Sequence, residues 1–191
     1  SHSDLEAVKA ATGGTGKVGS ALLTSTGTKL ASIGCVVISK DGITASTIPT
    51  AELTVTPNKT VAARAAAIQK QIDDDYGTVF AKTTYELNGA KAPNGNRDGE
   101  TNLGDLITDA LVWGAKQNGE AVDAAVNKGG GIRATVKAGD ITKKDVNTVL
   151  PFGNTLSIVK VTGAELLEAL EASTYCTPDA LGGFPQVSGI V

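Results

Sequence analysis

Leu103, Leu106, Ile107, Ala110 and Leu111 recur at the spacing of one helical face, and this pattern lies between two segments of strand character. Thr101 or Asn102 can cap the start and Gly119 follows the end. Upstream, TVFAKTTYEL at 78–87 has β-branched and aromatic content and runs into the polar loop NGAKAPNGNRDG; downstream, VDAAVN reads as a short strand entering KGGGIR. An apolar helix stripe between strands has to be covered by a sheet face. The expected fold class is therefore α+β, a mixed β-sheet with packed helices.

The rest of the chain extends this alternation. IGCVVIS at 33–39 reads as a buried strand bounded by Lys40, Asp41 and Gly42, within an N-terminal stretch of sheet and turn. KTVAARAAAIQKQIDDDY, with Val61, Ala65, Ile68 and Ile72 on one face, predicts an amphipathic helix, and the join between a small β piece and the main domain is placed near Pro57. Thr142 followed by Asp145 predicts a capped short helix. TLSIVKVT alternates as a strand, GAELLEALEA carries Leu166, Leu167 and Leu170 on one helical face, and GGFPQVSGIV reads as the start of a strand that stops at the last residue.

Composition excludes several function classes. Of 191 residues, 41% are apolar and 19% charged, with 17 basic against 20 acidic side chains. No basic stripe is present, so the electrostatic source of nucleic-acid binding is missing. No apolar run approaches the roughly 18 residues of a membrane span. The chain starts at Ser1 and has no Met, which leads us to expect a processed or excised piece. Cys35 and Cys176 lack CxxC spacing and are expected as free thiols, without fixing the redox compartment.

Gly14, Gly16 and Gly19 satisfy G-x-G-x-x-G, with Asp41 downstream, and this offers an alternative: an NAD(P)-binding oxidoreductase built on the Gly14–Gly19 loop. It requires a strand before the glycines and a helix after them, whereas EAVKAAT is a poor buried strand and SALLTSTGTKLAS a poor helix. Ala11 and Val18 rule out a Walker A loop. His2 is the single histidine, and no Asp, Glu, His or Cys cluster has metal-ligand spacing, so neither a metal site nor a Ser-His-Asp arrangement can be assembled from this stretch. No catalytic residue and no cofactor is assigned to it.

What remains is Arg97 in a polar loop before a helix, Arg133 after three glycines, and Phe152 in LPFGN. Two guanidinium groups and an aromatic ring flanked by Pro and Gly can stack a flat heterocycle and hydrogen-bond its sugar. Surface arginines beside a core Phe, in a structural or adhesive surface module, would account for the same residues.

RDGETNLGDLITDAL, GGGIRATVKAGDITKKDVNTVLPFGNTLSIVKVTGAELLEALE and GGFPQVSGI, in this order, resemble the C-terminal domain of the 5'-nucleotidase and UDP-sugar hydrolase family. LLTSTGTKLASIGCVVIS resembles the closing strands of that family's metallophosphatase domain. The resemblance implies a remnant of that domain at 1–56 and a nucleoside-binding domain, incomplete at its C-terminus, at 57–191. It implies a secreted, periplasmic or cell-surface parent that hydrolyses nucleotide phosphate esters with two divalent metals held by the metallophosphatase domain, the partner in cis. This stretch alone is expected to be inactive. Ser1-His2-Ser3 resembles the end of a metal-binding segment, which makes His2 a possible remnant ligand. By position, Arg97 and Arg133 are expected at the nucleoside, Phe152 on one face of the base, Asn154 near the base, and Lys128, Gly129, Gly130 and Gly131 along the ligand. Lys128 stands where the family often has Asn, with Asn127 displaced by one, and a second stacking aromatic is expected beyond Val191.

Overall fold

The structure, a computed structural model, describes residues 5–27 and 30–190. The chain separates into two compact units, Ser1–Ala62 and Ala63–Val191. His2 lies outside the described residues.

In the first unit a helix, α1 (Leu5–Ala11), leads through a glycine turn into a hairpin of β1 (Lys17–Val18) and β2 (Ala21–Leu22), paired antiparallel. The Thr12 hydroxyl accepts from the Gly16 N–H at 2.9 Å and fixes the turn. Gly14 and Gly16 thus follow a helix and Gly19 turns a hairpin, the reverse of a strand-loop-helix phosphate site. The dinucleotide-binding alternative is thereby corrected, because no helix N-terminus stands at that loop to meet a pyrophosphate.

A longer hairpin joins β3 (Ser32–Ser39) to β4 (Gly42–Pro49) in continuous register from Ser32↔Pro49 to Ser39↔Gly42. The strand expected at 33–39 is present but not buried: Val36 is 50% and Ile38 77% exposed. A two-stranded ribbon has two faces: β2 touches β4, and Cys35, Ala45 and Thr47 are half-buried, while Val36 and Ile38 stay open to solvent.

Helix α2 (Lys59–Tyr76) begins at Asn58, whose side-chain oxygen accepts from the N–H groups of Thr60 and Val61 at 3.0 and 3.2 Å. Its apolar stripe is formed as expected, yet Val61, Ile68 and Ile72 all remain exposed.

The second unit is α+β. Strand β5 (Val79–Thr83) pairs antiparallel with β7 (Gly139–Thr142), and a bridge between Leu87 and Val136 extends the contact. Strand β6 (Ala125–Lys128) pairs antiparallel with β8 (Pro185–Ser188), so the tail segment does form a strand. Helix α3 (Asn102–Gln117) packs across β6 and β8, and α4 (Lys143–Val149) packs on β7. The Thr101 hydroxyl caps α3 by accepting from the Gly104 N–H at 3.1 Å. The core gathers Leu87, Leu103, Ile107, Ile132 and Val149, with Ile132 only 1% exposed. Each such side chain contributes about 1.5–3 kcal/mol by leaving water.

One expectation fails in this unit, and another is met with a helix only partly covered. TLSIVKVT forms no strand: residues 155–162 have no ladder partner among the described residues, and Leu156, Ile158, Val159 and Val161 are exposed. Alternation is a necessary condition for a strand, but a neighbouring edge completes it. Helix α5 (Gly163–Thr174) forms with Thr162 and Glu165 as a reciprocal cap, but only Leu166 and Leu170 are half-buried while Leu167 faces outward.

Candidate functional site

Three loops of the second unit are tied together by backbone hydrogen bonds. In the loop before α3, the Asp98 carboxylate accepts from the N–H groups of Asn94 and Gly95 at 3.0 and 2.7 Å, and the Arg97 N–H donates to the Lys91 carbonyl at 3.0 Å. In the loop before β8, the Leu181 N–H donates to the Arg97 carbonyl at 2.8 Å. The third loop is a single 3-10 turn, Gly129–Gly131, whose Gly129 and Gly130 N–H groups donate to the Phe184 and Gly182 carbonyls, each at 2.8 Å.

The glycines are explained by this crowding. A Cβ on Gly129 would overlap the Asn96 carbonyl oxygen, and one on Gly130 would lie 2.6 Å from the Gly182 carbonyl oxygen. What these two glycines let the backbone approach is therefore its own neighbouring loops.

From the end of that turn, the Arg133 N–H donates to the Val149 carbonyl at 2.9 Å and its Nη1 to the Gly130 carbonyl at 3.1 Å. These two bonds aim the guanidinium, whose Cζ lies 5.6 Å from the centroid of the Phe152 ring. That is within cation–π range. Phe152 follows α4 in an outer loop and is 58% exposed, so it is not a core residue.

Phe152 stands on the rim of a cleft of about 370 Å³. Ile107 and Leu111 of α3, Asn127 of β6, Gly131 and Asn154 also line it. The structure thus brings Gly131, Phe152 and Asn154 together at one cleft, with Arg133 reaching it through the Phe152 ring. Gly129 and Gly130 lie behind it in the loop packing, and Lys128 is exposed and not among the lining residues. Arg97 is half-buried, also not among them, and its Nε is buried without a hydrogen-bond partner among the described residues. Sequence reasoning set Asn127 aside as displaced from the position held by Lys128. The signal that finds it is its place on the covered side of β6, where exposure alternates along the strand.

Electrostatic perturbation falls outside the cleft lining. The half-buried Asp105 carboxyl, in the first turn of α3, is held above the usual carboxylate range by burial and then by the nearby Glu100 carboxylate. Among the described residues no group of three or more His, Cys, Asp and Glu side chains could hold a metal ion. None of the described helices is long and apolar enough to cross a membrane. Cys35 and Cys176 are half-buried and unbridged.

Residues 79–191 match the family model "5'-nucleotidase, C-terminal domain". The chain belongs to this family. The chain is 46% identical over 94 residues to the trifunctional nucleotide phosphoesterase protein YfkN of Bacillus subtilis, covering 49% of this chain and 6% of that protein. It is 31% identical over 142 residues to the snake venom 5'-nucleotidase of Macrovipera lebetinus, covering 70% of this chain and 34% of the other. The crystal structure of a 5'-nucleotidase precursor from Thermus thermophilus superposes with a TM-score of 0.62 at 33% identity, over 83% of this chain and 32% of that one. The chain therefore spans a minor part of the length of the relatives it matches, and its fold matches a solved member of the 5'-nucleotidases.

Proposed function

We propose that the second unit is the nucleoside-recognition part of a 5'-nucleotidase-type phosphohydrolase, with the heterocycle stacked on Phe152 in the cleft. The observation that carries this reading is the exposed Phe152 ring, held by Arg133 at 5.6 Å on the rim of a 370 Å³ cleft. The guanidinium occupies one ring face and leaves the other for a base. Asn154 supplies a donor and an acceptor beside it, and Gly131 leaves the wall low. Arg97 is assigned to the sugar or its substituents from its place in the loop before α3, which the Leu181 N–H ties to the loop before β8.

In this reading the nucleotide phosphate ester is hydrolysed elsewhere in the parent protein, by a metallophosphatase domain that acts in cis and holds two divalent cations, which would stabilise the developing phosphoryl charge. This chain's contribution is orientation: it grips the nucleoside so that the ester is presented to that centre. Residues 1–56 are assigned as a remnant of the metallophosphatase domain and 57–191 as the binding domain. The setting is secreted, periplasmic or cell-surface, a reading supported by the venom 5'-nucleotidase among the relatives.

The test is calorimetric titration of the chain with adenosine and other nucleosides, for wild type and Phe152→Ala. Losing a stacking face costs about 1–3 kcal/mol, so affinity should fall by roughly 5- to 150-fold. Because the ring is exposed, the melting temperature should hardly move. Equal affinities in the two proteins would refute the stacking role.

A further inference from the structure

Asn58 stands in a sequence context that none of the other asparagines shares. Of nine asparagines, only this one is followed two residues on by a hydroxyl side chain, in Asn58-Lys59-Thr60, with no proline between. Asn147 and Asn154 have their threonine one position too early. Asn-x-Thr is the pattern read by glycosyl-transferring enzymes, because the hydroxyl two residues on aligns the amide for attack. The pattern alone is common, so local geometry decides. Asn58 Oδ1 accepts from the Thr60 and Val61 N–H groups at 3.0 and 3.2 Å, which fixes the orientation of the amide. Turned over, Nδ2 would face two donors. It therefore points away from them and has no hydrogen-bond partner among the described residues. Other asparagine nitrogens are engaged: Asn88 Nδ2 donates to the Asn94 carbonyl at 2.9 Å, and Asn118 Nδ2 to the Gly114 carbonyl at 2.8 Å. Residues 54–66 are all exposed, which leaves room for a large polar group at this place.

We propose that Asn58 is the acceptor for an N-linked glycan, an inference that rests on the secreted or cell-surface setting given above and is independent of the nucleoside cleft. In the transfer, a bond forms between Asn58 Nδ2 and C1 of the first sugar while the bond from C1 to the pyrophosphate of a lipid-linked oligosaccharide breaks. The lipid pyrophosphate leaves, and the amide gives up one proton. The glycosylated amide keeps Oδ1 and one N–H. The cap on α2 therefore survives the modification, and the glycan stands at the start of that helix.

The experiment is translation of the chain, preceded by a secretion signal, in the presence of endoplasmic-reticulum vesicles, with electrophoretic mobility read before and after treatment with peptide N-glycosidase. Wild type is compared with Thr60→Ser, Thr60→Ala and Asn58→Asp. Asp caps a helix about as well as Asn, and removing the Thr60 hydroxyl leaves the Thr60 N–H in place, so neither loss variant uncaps α2. Vesicle-protected wild type and Thr60→Ser should run slower by one glycan, and the glycosidase should reverse the shift. Thr60→Ala and Asn58→Asp should run at the unmodified position. Protected wild type with unaltered mobility, or a shift that survives in Asn58→Asp, overturns the inference and leaves the nucleoside-recognition reading standing. Wild type that stays outside the vesicles overturns the secretory setting, and the inference with it.

Discussion

Gln186 shows at the scale of one residue how the site is held. It is 0% exposed, and its Oε1 accepts from the Thr101 N–H at 3.0 Å while its Nε2 donates to the Gly99 carbonyl at 2.8 Å and the Asn96 carbonyl at 3.3 Å. One amide from β8 thus fixes the loop that carries Arg97 and the cap of α3. Gly104 is needed beneath it, because a Cβ there would overlap the Gln186 side chain. Replacing Gln186 by Ala orphans buried groups and opens a cavity, so we expect a loss of about 2–5 kcal/mol and a fall in melting temperature of about 10 °C, read by circular dichroism. An unchanged melting temperature would mean that the network adds nothing. None of this was legible in the sequence, where Gln186 is simply a polar residue in an apolar tail. A long-range hydrogen bond leaves no local pattern. Phe152 was more legible, since Pro151 and Gly153 mark it as a loop residue, but its pairing with Arg133 depends on where two loops meet.

Elements were legible where their determinants are local. The reciprocal cap expected from Thr142 and Asp145 is present: the Thr142 N–H and hydroxyl donate to the Asp145 carboxylate at 2.8 and 2.6 Å, and the Asp145 N–H donates to the Thr142 oxygen at 3.3 Å. The Thr142 hydroxyl and N–H hold the Asp145 carboxyl below its ordinary range. A carboxyl with a depressed folded pKa contributes stability above its unfolded value, about 4, and loses it as pH falls through the folded value. Thr142→Ala should therefore cost about 1 kcal/mol near neutrality. The gap from wild type should narrow in acid as Asp145 protonates, and denaturant midpoints at several pH values would show it. A gap independent of pH would assign the loss to the hydroxyl alone. Strands were less legible because a partner decides them: residues 155–162 alternate well and stand without a ladder among the described residues, whereas the short, less patterned β8 forms against β6. Helix faces share this limit, as Leu167 shows, because periodicity names a stripe and the neighbour decides how much of it is covered.

For the whole molecule, the alternation of helix and strand patterns was enough to indicate an α+β unit, and the order of three sequence blocks indicated its family. The cleft itself was only partly readable. Gly131, Phe152 and Asn154 converge on it from two loops, while Arg97, Lys128, Gly129 and Gly130 stand off its walls. Residue type marks what a side chain can bind; which wall it reaches is set by packing such as the contact of Gly129 with the Asn96 carbonyl. The most direct test of the account is an isotope-edited nuclear Overhauser experiment on the chain with adenosine, with Phe152 resolved from the other two phenylalanines. Cross-peaks between the Phe152 ring protons and the protons of the adenine ring are the predicted result; adenosine bound with no such cross-peaks, or with contacts to Phe80 or Phe184 in their place, would contradict it.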